Sequence, residues 1–600
     1  MRFATARDRR LILGMIIAVV LLVCIVAERG WYSGSLRSNS GPEESAADDD
    51  VSDDQVLSTE GRQYLWDVEH RGFFLEQKAF PQLSQALAHG DRAALAAFLA
   101  NRFSARVPDG VFRDEWHDSL IHADHLQRSV AEDRQVDAAD FLDMLAEYRR
   151  RFDPDPHACR ARLGLLRLSP TEGRRLDGPW KSVWKVRLSG RKRKSYVEVL
   201  LKLAVDLDPI DAQIDSRRHW IRSASIREVR TLTVARPLMQ DVTARSGIDV
   251  ARMHDNWKPG QAFRSNTGGV YLSDYNRDGR LDILIDDMDA GAVLYRGVGA
   301  GRFVDATAEA GLPRPAPGQS PLWTLSCWGD FDGDGDEDLI LDDRLLENNG
   351  DGTFRDVTSH SNLRLVPASG YAVGDFDLDG RLDLYVCHSG VYRPGQQERE
   401  RVKWIDGGLG ADNVLWRNTG DWQFDDVTET TGTGGDGSSC FAAVWLDANG
   451  DRRPDLLAIN EFGRNSLLIN QPDGHFREQP IDPVFGGFSM GVTTGDFDND
   501  GRTDIYVANM YSKAGNRILA NVDPATYPAG LYAQVREATT GNKLYRSLGN
   551  GRFRVIPGDK MVPAIGWAYG PNFVDLNGDG YLDVYAPAGF RSVQRGRPDG

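Results

Sequence analysis

From about residue 270 onward, short apolar runs alternate with polar, glycine-rich segments at a regular interval. The apolar runs read "ILID", "LILD", "LYVC", "LLAI", "IYVA" and "VYAP". They are rich in β-branched and aromatic residues, as short buried strands are. Further along come "LYRGVGAGRF", "LLENNGDGTF", "LWRNTGDWQF", "LLINQPDGHF" and "LYRSLGNGRF". Each places a Gly/Asn/Asp turn between apolar residues and an aromatic, which predicts a hairpin. With the strand before each apolar run, one unit predicts a four-stranded antiparallel sheet. Radial arrays of such sheets are β-propellers.

The polar segment before each apolar run carries the candidate chemistry. "GDFDGDGDED" (Gly329 to Asp338) crowds six carboxylates into nine residues. Two unit charges about 5 Å apart repel by roughly 3 kcal/mol at an effective dielectric near 20. The spacing D-x-D-x-D-G-x-x-D offers relief, because alternate residues of a curled loop point at one centre. A glycine at position six permits the turn, and a hard cation with six to eight oxygen ligands turns repulsion into coordination. An EF-hand would need an acid at position twelve, where Leu341 stands. Six such loops occur: Asp274 to Asp282, Asp330 to Asp338, Asp375 to Asp383, Asp447 to Asp455, Asp496 to Asp504 and Asp575 to Asp583. In the fourth, Arg452 replaces the glycine.

These loops and their flanking strands resemble the FG-GAP or VCBS repeat family, which includes integrin α-chain propellers and the cartilage acidic protein group. The resemblance covers about Leu238 to Gly600. It implies a calcium-binding β-propeller with several structural Ca²⁺ sites, whose side-chain ligands stand at loop positions one, three, five and nine. Residue by residue these are Asp274, Asn276, Asp278 and Asp282; Asp330, Asp332, Asp334 and Asp338; and Asp375, Asp377, Asp379 and Asp383. The remaining loops supply Asp447, Asn449, Asp451 and Asp455; Asp496, Asp498, Asp500 and Asp504; and Asp575, Asn577, Asp579 and Asp583. Six visible repeats predict six or seven blades. The chain stops on "RGRPDG", which resembles the turn "INQPDG", while "MQDVT" (Met239 to Thr243) matches "FRDVT" (Phe354 to Thr358). Two expectations follow: Met239 to Thr243 closes the last blade as its missing strand, or further residues complete it.

The N-terminal part differs. "MRFATARDRR" precedes an uncharged apolar run, Leu11 to Ala27, then Trp31 and Tyr32. A basic flank, an apolar run near the minimum length and interfacial aromatics predict a single membrane span with the rest of the chain extracytoplasmic. A cleaved signal peptide is the rival. Residues 1–32 are therefore expected to be the anchor, 33–56 an acidic flexible linker, 57–236 a small α+β domain and 237–600 the propeller. Within the α+β domain, "FPQLSQALAHGDRAALAAFLANRF" predicts two helices broken at Gly90, and "AADFLDMLAEYRRRF" a third. "WKSVWKVRL", "SYVEVLLKLAVDL" and "WIRSASIREVRTLTV" predict strands. The helix pair resembles the opening of NTF2-like cone domains, which often hold a small ligand. "GRKRK" (Gly190 to Lys194) reads as a solvated hairpin tip, with anionic lipid headgroups as a second reading.

Composition changes the picture little. The formal charge of −17 argues against nucleic acid as a partner, and six divalent cations would offset most of it. Cys327, Cys387 and Cys440 fall on apolar strand patterns and read as small buried residues. "GFSMG" (Gly487 to Gly491) fits G-x-S-x-G but precedes the fifth loop as an inner strand, without the strand-turn-helix context of a nucleophile. No other catalytic motif is visible. The expectation is a membrane-anchored binding or interaction protein, with protein or glycan as the partner. The alternative is a carbohydrate-binding or carbohydrate-active protein using the long insertions 389–412 and 510–541. These carry Tyr392, Trp404, Tyr511, Tyr527 and Tyr532.

Overall fold

A computed structural model describes residues 59–588, except 109–111, 118–119, 127–132, 237–238, 256–257, 259–267, 288–289, 314–324, 366–367, 390–410, 482–485, 527–529 and 558–564. The expected anchor, the acidic linker, most of the 389–412 insertion and the final "RGRPDG" lie outside the described residues. Among the described residues no helix is long and apolar enough to cross a membrane. The chain forms two compact units. One holds the chain to Gln240 with Lys513–Tyr532 and Ser592–Gly600; the other holds Asp241–Ser512 and Ala533–Arg591.

The first unit opens with the helix Thr59–Phe74, a π-turn over Leu75–Ala79 and the helix Phe80–His89. Pro81 sits in the first turn of the latter, where its missing N–H breaks the regular ladder and the wider turn absorbs the break. Gly90 ends the helix in the left-handed region at φ 68°, and the Asp91 carboxylate then accepts from the Ala94 N–H to start Arg92–Ala96. The second expected helix stops there. "LANRF", read as helix, is instead the start of β1 (Leu99–Pro108), because β1 lies parallel to β8 (Ile221–Val234) in the main sheet. The third expected helix is Ala138–Arg149. The three expected strands are β6 (Trp180–Lys192), β7 (Ser195–Leu207) and β8; β6 and β7 pair in unbroken register, and the β7–β8 pairing shifts at Lys202/Leu203 and Asp206/Leu207. The sequence reading missed β2 (Phe112–His117), β3 (Ile121–Leu126), β4 (Asp133–Val136) and β5 (Cys159–Pro170), which complete the eight-stranded sheet.

Alternate residues of β6 and β7 are buried, and they build a core with Trp180, Trp184, Trp220 and Phe152. One cavity within it, of about 50 Å³, is lined by apolar residues such as Leu95, Phe141 and Ile221. That is room for a few water-sized molecules at most. The "GRKRK" tip turns through Arg193 at φ 55°, with Arg193 and Lys194 exposed.

The helix Lys513–Leu519 belongs to this same unit. Its Arg517 side chain is only 4% exposed and pairs with Glu69 at 2.7 Å and Glu76 at 3.5 Å. The Asn521 amide donates to the Leu168 carbonyl at 2.7 Å, and the Tyr532 hydroxyl to the Leu519 carbonyl at 3.2 Å. Much of the 510–541 insertion is thus committed to packing within the N-terminal unit.

The second unit consists of successive antiparallel sheets. The first blade has β9 (Val270–Ser273), β10 (Asp282–Ile285), β11 (Val293–Gly299) and β12 (Arg302–Asp305). The next comprises β13 (Ser326–Gly329), β14 (Asp338–Leu341), β15 (Arg344–Asn348) and β16 (Phe354–Asp356). The third has β17 (Gly370–Gly374), β18 (Asp383–Cys387), β19 (Val414–Gly420) and β20 (Gln423–Asp426). The fourth has β21 (Ser439–Leu446), β22 (Asp455–Phe462), β23 (Ser466–Asn470) and β24 (Phe476–Pro480). The fifth has β25 (Ser489–Gly495), β26 (Asp504–Asn509), β27 (Lys543–Gly549) and β28 (Arg552–Val555). First strands of successive blades are neighbours, which is the propeller arrangement. Strands β14, β18 and β26 are buried throughout. Covered on both faces by adjacent blades, they read as continuous apolar runs.

Two expectations need correction. Among the described residues there are five four-stranded blades, not six or seven; the sixth repeat contributes the pair β29 (Asn572–Val574) and β30 (Asp583–Tyr585). Met239 to Thr243 forms no strand either. The Asp241 carboxylate accepts from the Thr243 N–H at 2.9 Å and starts the helical turn Thr243–Ser246. Asp356 and Asp426 do the same to Thr358 and Thr428. What "MQDVT" shares with "FRDVT" is the turn, and a strand forms before that turn only where a partner strand lies beside it.

Glu69→Ala would take the nearer carboxylate away from the buried Arg517 guanidinium. Removing one member of a buried ion pair costs about 3–5 kcal/mol, so calorimetry should show a clearly lowered Tm, with Glu69→Gln falling between the two.

Candidate functional site

Each candidate loop joins the first strand of a blade to the second, and one hydrogen-bonding scheme recurs. In five loops the position-one carboxylate accepts from the backbone N–H groups of positions five and six; in the second, Asp330 accepts from positions four and six, Gly333 and Gly335. Asp375 accepts from Asp379 at 3.0 Å and Gly380 at 2.9 Å, and Asp496 from Asp500 at 2.9 Å and Gly501 at 2.7 Å. Position five accepts from the N–H of position seven, as Asp334 does from Asp336 at 2.8 Å. Position six is left-handed in all six loops, with φ from 70° at Arg452 to 90° at Gly335 and Gly380. The fourth loop therefore makes the same turn without glycine, and Asp447 accepts from Arg452 N–H at 2.9 Å. Position four is left-handed too, at Arg277, Gly333, Leu378, Gly450, Asn499 and Gly578. Glycine stands there in three loops, a signal the sequence reading passed over.

Position nine lies deepest. Asp282, Asp338, Asp383, Asp455 and Asp504 are buried, each opening the second strand of its blade. Asp338 accepts from Phe331 N–H in its own loop and Asn348 N–H in the third strand, both at 2.9 Å. Asp383 bonds likewise to Phe376 and Asn418, and Asp455 to Ala448 and Asn470. Burial pushes the carboxyls of Asp338 and Asp383 up to about 7 and those of Asp282, Asp455 and Asp504 up to about 6. The backbone N–H groups oppose the rise and the neighbouring aspartates add to it.

The third-strand asparagines carry the scheme across blade boundaries. The Asn348 amide donates to the Tyr275 carbonyl in the preceding blade's loop at 2.8 Å and to Glu337 in its own at 3.1 Å. Asn418 reaches back to Phe331 at 2.7 Å, and Asn470 to Phe376 at 2.8 Å. In the sequence these residues looked like ordinary turn residues of the hairpins.

Three groups bring carboxylate oxygens within 4.8 Å of one another: Asp330, Asp332 and Asp338; Asp375, Asp377 and Asp383; and Asp496, Asp498 and Asp500. In the other loops position three is an asparagine, Asn276, Asn449 or Asn577. Arginines share the space. Those at position seven (Arg280, Arg381, Arg453 and Arg502) ion-pair with position five. From the third strand, Arg417 pairs with Asp377 at 2.6 Å and Arg546 with Asp498 at 2.7 Å. The second loop has Asp336 at position seven and Glu347 on its third strand. Arg277 of the first loop lies 3.3 Å from Asp336, and Arg355 pairs with Glu347.

Residues 274–341, 342–386, 447–507 and 532–586 match the FG-GAP-like repeat family. The propeller is an array of FG-GAP-like repeats. All six loops fall inside the matched segments of this FG-GAP array. No curated protein matches the chain. Ser489 of "GFSMG" lies on β25, the first strand of its blade. Its buried hydroxyl donates to Asn509 at 2.7 Å and accepts from Asn465 at 3.0 Å, one link in a polar chain under the FG-GAP blades.

Asn418→Ala would strip buried carbonyls of the second and third blades of their donor. The expected cost is roughly 1–3 kcal/mol, seen as a lower Tm of the whole propeller, while Asn349→Ala at an exposed turn should stay within about 0.5 kcal/mol.

Proposed function

We propose that this protein is an extracytoplasmic binding or interaction protein, held at a membrane by Leu11 to Ala27, that displays a Ca²⁺-stabilised FG-GAP propeller. The observation that carries the calcium reading is the convergence of three carboxylates at the same corner of three blades. Such all-oxygen donor sets suit a hard cation of flexible geometry. The second loop is the strongest candidate, because among the described residues no arginine is paired to Asp330, Asp332 or Asp338. In the third and fifth loops Arg417 and Arg546 compete for the same carboxylates, so those sites bind more weakly. When bound, Ca²⁺ supplies positive charge at a tight acidic turn; the chain's residues supply the turn itself and the bonds that fasten it to the next strand.

The binding reading is favoured by the repeat array and by the absence of a recognisable nucleophile among the described residues. The glycan alternative keeps one support, the 389–412 insertion with Tyr392 and Trp404, most of which, both aromatics included, lies outside the described residues. The helices-first order of the N-terminal unit and the pairing of β1 with β8 support an NTF2-like reading of that unit, and the cavity of about 50 Å³ within its core is itself too small for a ligand of cofactor size.

Binding to the folded state alone adds RT ln(1 + [Ca²⁺]/Kd) per site, about 2.7 kcal/mol at a hundredfold excess over Kd. EDTA should therefore lower the Tm sharply, Ca²⁺ should restore it better than Mg²⁺, and Asp330→Ala should remove one ion by mass spectrometry. A metal-free protein with an unchanged melting curve would refute the calcium reading. For the location, protease added to cells with a permeabilised outer envelope should digest the propeller; complete protection would place it elsewhere.

A further inference from the structure

The β2–β3 hairpin at the edge of the N-terminal sheet carries chemistry that the propeller reading does not use. His117 and His122 are directly opposite one another across the two strands, as are Asp114 and Asp124. In a regular strand, residues three apart point to opposite faces. Here a bulge between Asp114 and Trp116 inserts Glu115, and the extra residue returns Asp114 and His117 to one face. Bulges at sheet edges commonly re-aim a side chain in this way. The outcome is a block of two imidazoles and two carboxylates on one face of a two-stranded ribbon.

The geometry within the block is directional. The two rings meet edge to face, and their Nδ1 atoms lie 2.6 Å apart. The Asp114 carboxylate lies 3.7 Å from Nδ1 of His122 and 3.8 Å from Nδ1 of His117. One ligand atom from each of the three falls within 4.8 Å of the others. On its far side, His122 Nε2 lies 3.1 Å from Asp124, whose carboxylate also accepts from the Thr231 hydroxyl at 3.4 Å. A carboxylate behind a histidine is the usual outer partner of a metal-bound imidazole, because it sets the tautomer and aims the free nitrogen at the ion.

We propose that this hairpin is a divalent transition-metal site of the Zn²⁺ class, with Asp114, His117 and His122 as ligands, Asp124 orienting His122, and the remaining coordination position open to solvent. Two imidazoles and a carboxylate suit Zn²⁺ or Cu²⁺ and discriminate against Ca²⁺ and Mg²⁺, which prefer oxygen alone. Two nitrogens on a tetrahedral Zn²⁺ stand about 3.3 Å apart, so the pair opens by a modest rotation of half-exposed rings. Asp114 and His117 side chains are 56% and 64% exposed, which leaves the fourth position accessible to water or to a ligand atom from a partner. The proposal is independent of the calcium reading, since the donors and the unit are different.

The test is calorimetric titration of the full chain, purified in detergent with excess Ca²⁺, using Zn²⁺ as the probe. A parallel titration with Co²⁺ follows the visible d–d bands of a low-coordinate site. One equivalent of Zn²⁺ should be taken up, and His117→Ala and His122→Ala should each abolish it. Asp124→Asn should weaken it about 10- to 100-fold with the Co²⁺ bands retained. Asp114→Asn, on the exposed edge, keeps the test intact should a histidine variant fold poorly. No uptake by the wild type, or equal uptake by the wild type and the Asp114 and histidine variants, would overturn the site.

Discussion

A buried aspartate at the head of the second strand holds each propeller blade in register with its loop. With both oxygens engaged by backbone N–H groups, as in Asp338, Asp383 and Asp455, one carboxylate fastens the loop below it to the strand beside it. Hydrogen bonds to a charged group contribute about 1.5–3 kcal/mol each. The residue whose N–H it holds in these blades is an asparagine, and the asparagine amide extends to the preceding blade's loop. Asp383 thus holds Asn418, Asn418 holds Phe331, and the second and third blades share one polar chain. Such chains gain by mutual polarisation and lose heavily when one member is missing.

The same constraint explains the crowding of acids around it. An aspartate at position one closes the loop by accepting its own backbone, and positions three and five do likewise one step further on. Carboxylates chosen for turn formation then converge at one corner and need a counter-charge. The repeats meet that need unequally. Arg417 and Arg546 reach over from the third strand in two blades, whereas the second blade presents Glu347 at that place. Variation at one strand position therefore sets how much of that negative charge the chain itself neutralises at each loop.

The two units solve different problems with similar means. In the propeller, acids face acids at the loop corners. In the N-terminal unit, a buried arginine on Lys513–Leu519 is neutralised by Glu69 and Glu76, so residues inserted in the fifth repeat are spent on the core of the other unit. A single bulged residue, Glu115, gathers two histidines and two aspartates on one face. None of these arrangements is a matter of composition; each depends on which strand lies beside which.

The repeat period, the hairpin turns and the loop spacing were legible in the sequence, because each follows from local requirements repeated six times. A turn needs its left-handed residue, and a strand buried on both faces needs an unbroken apolar run. The long amphipathic helix at Ala138–Arg149 and the strands β6 to β8 were legible for the same reason. Tertiary structure decided the rest. It made "LANRF" a strand, because β8 offered it a parallel partner. It left "MQDVT" as a turn, because no strand lay beside it. It made Asn348, Asn418 and Asn470 bridges between blades, and it drew Arg517 into a core far away in the chain. Local propensity is a property of a few neighbouring residues, whereas a hydrogen bond or ion pair between distant segments exists only once the chain has brought them together.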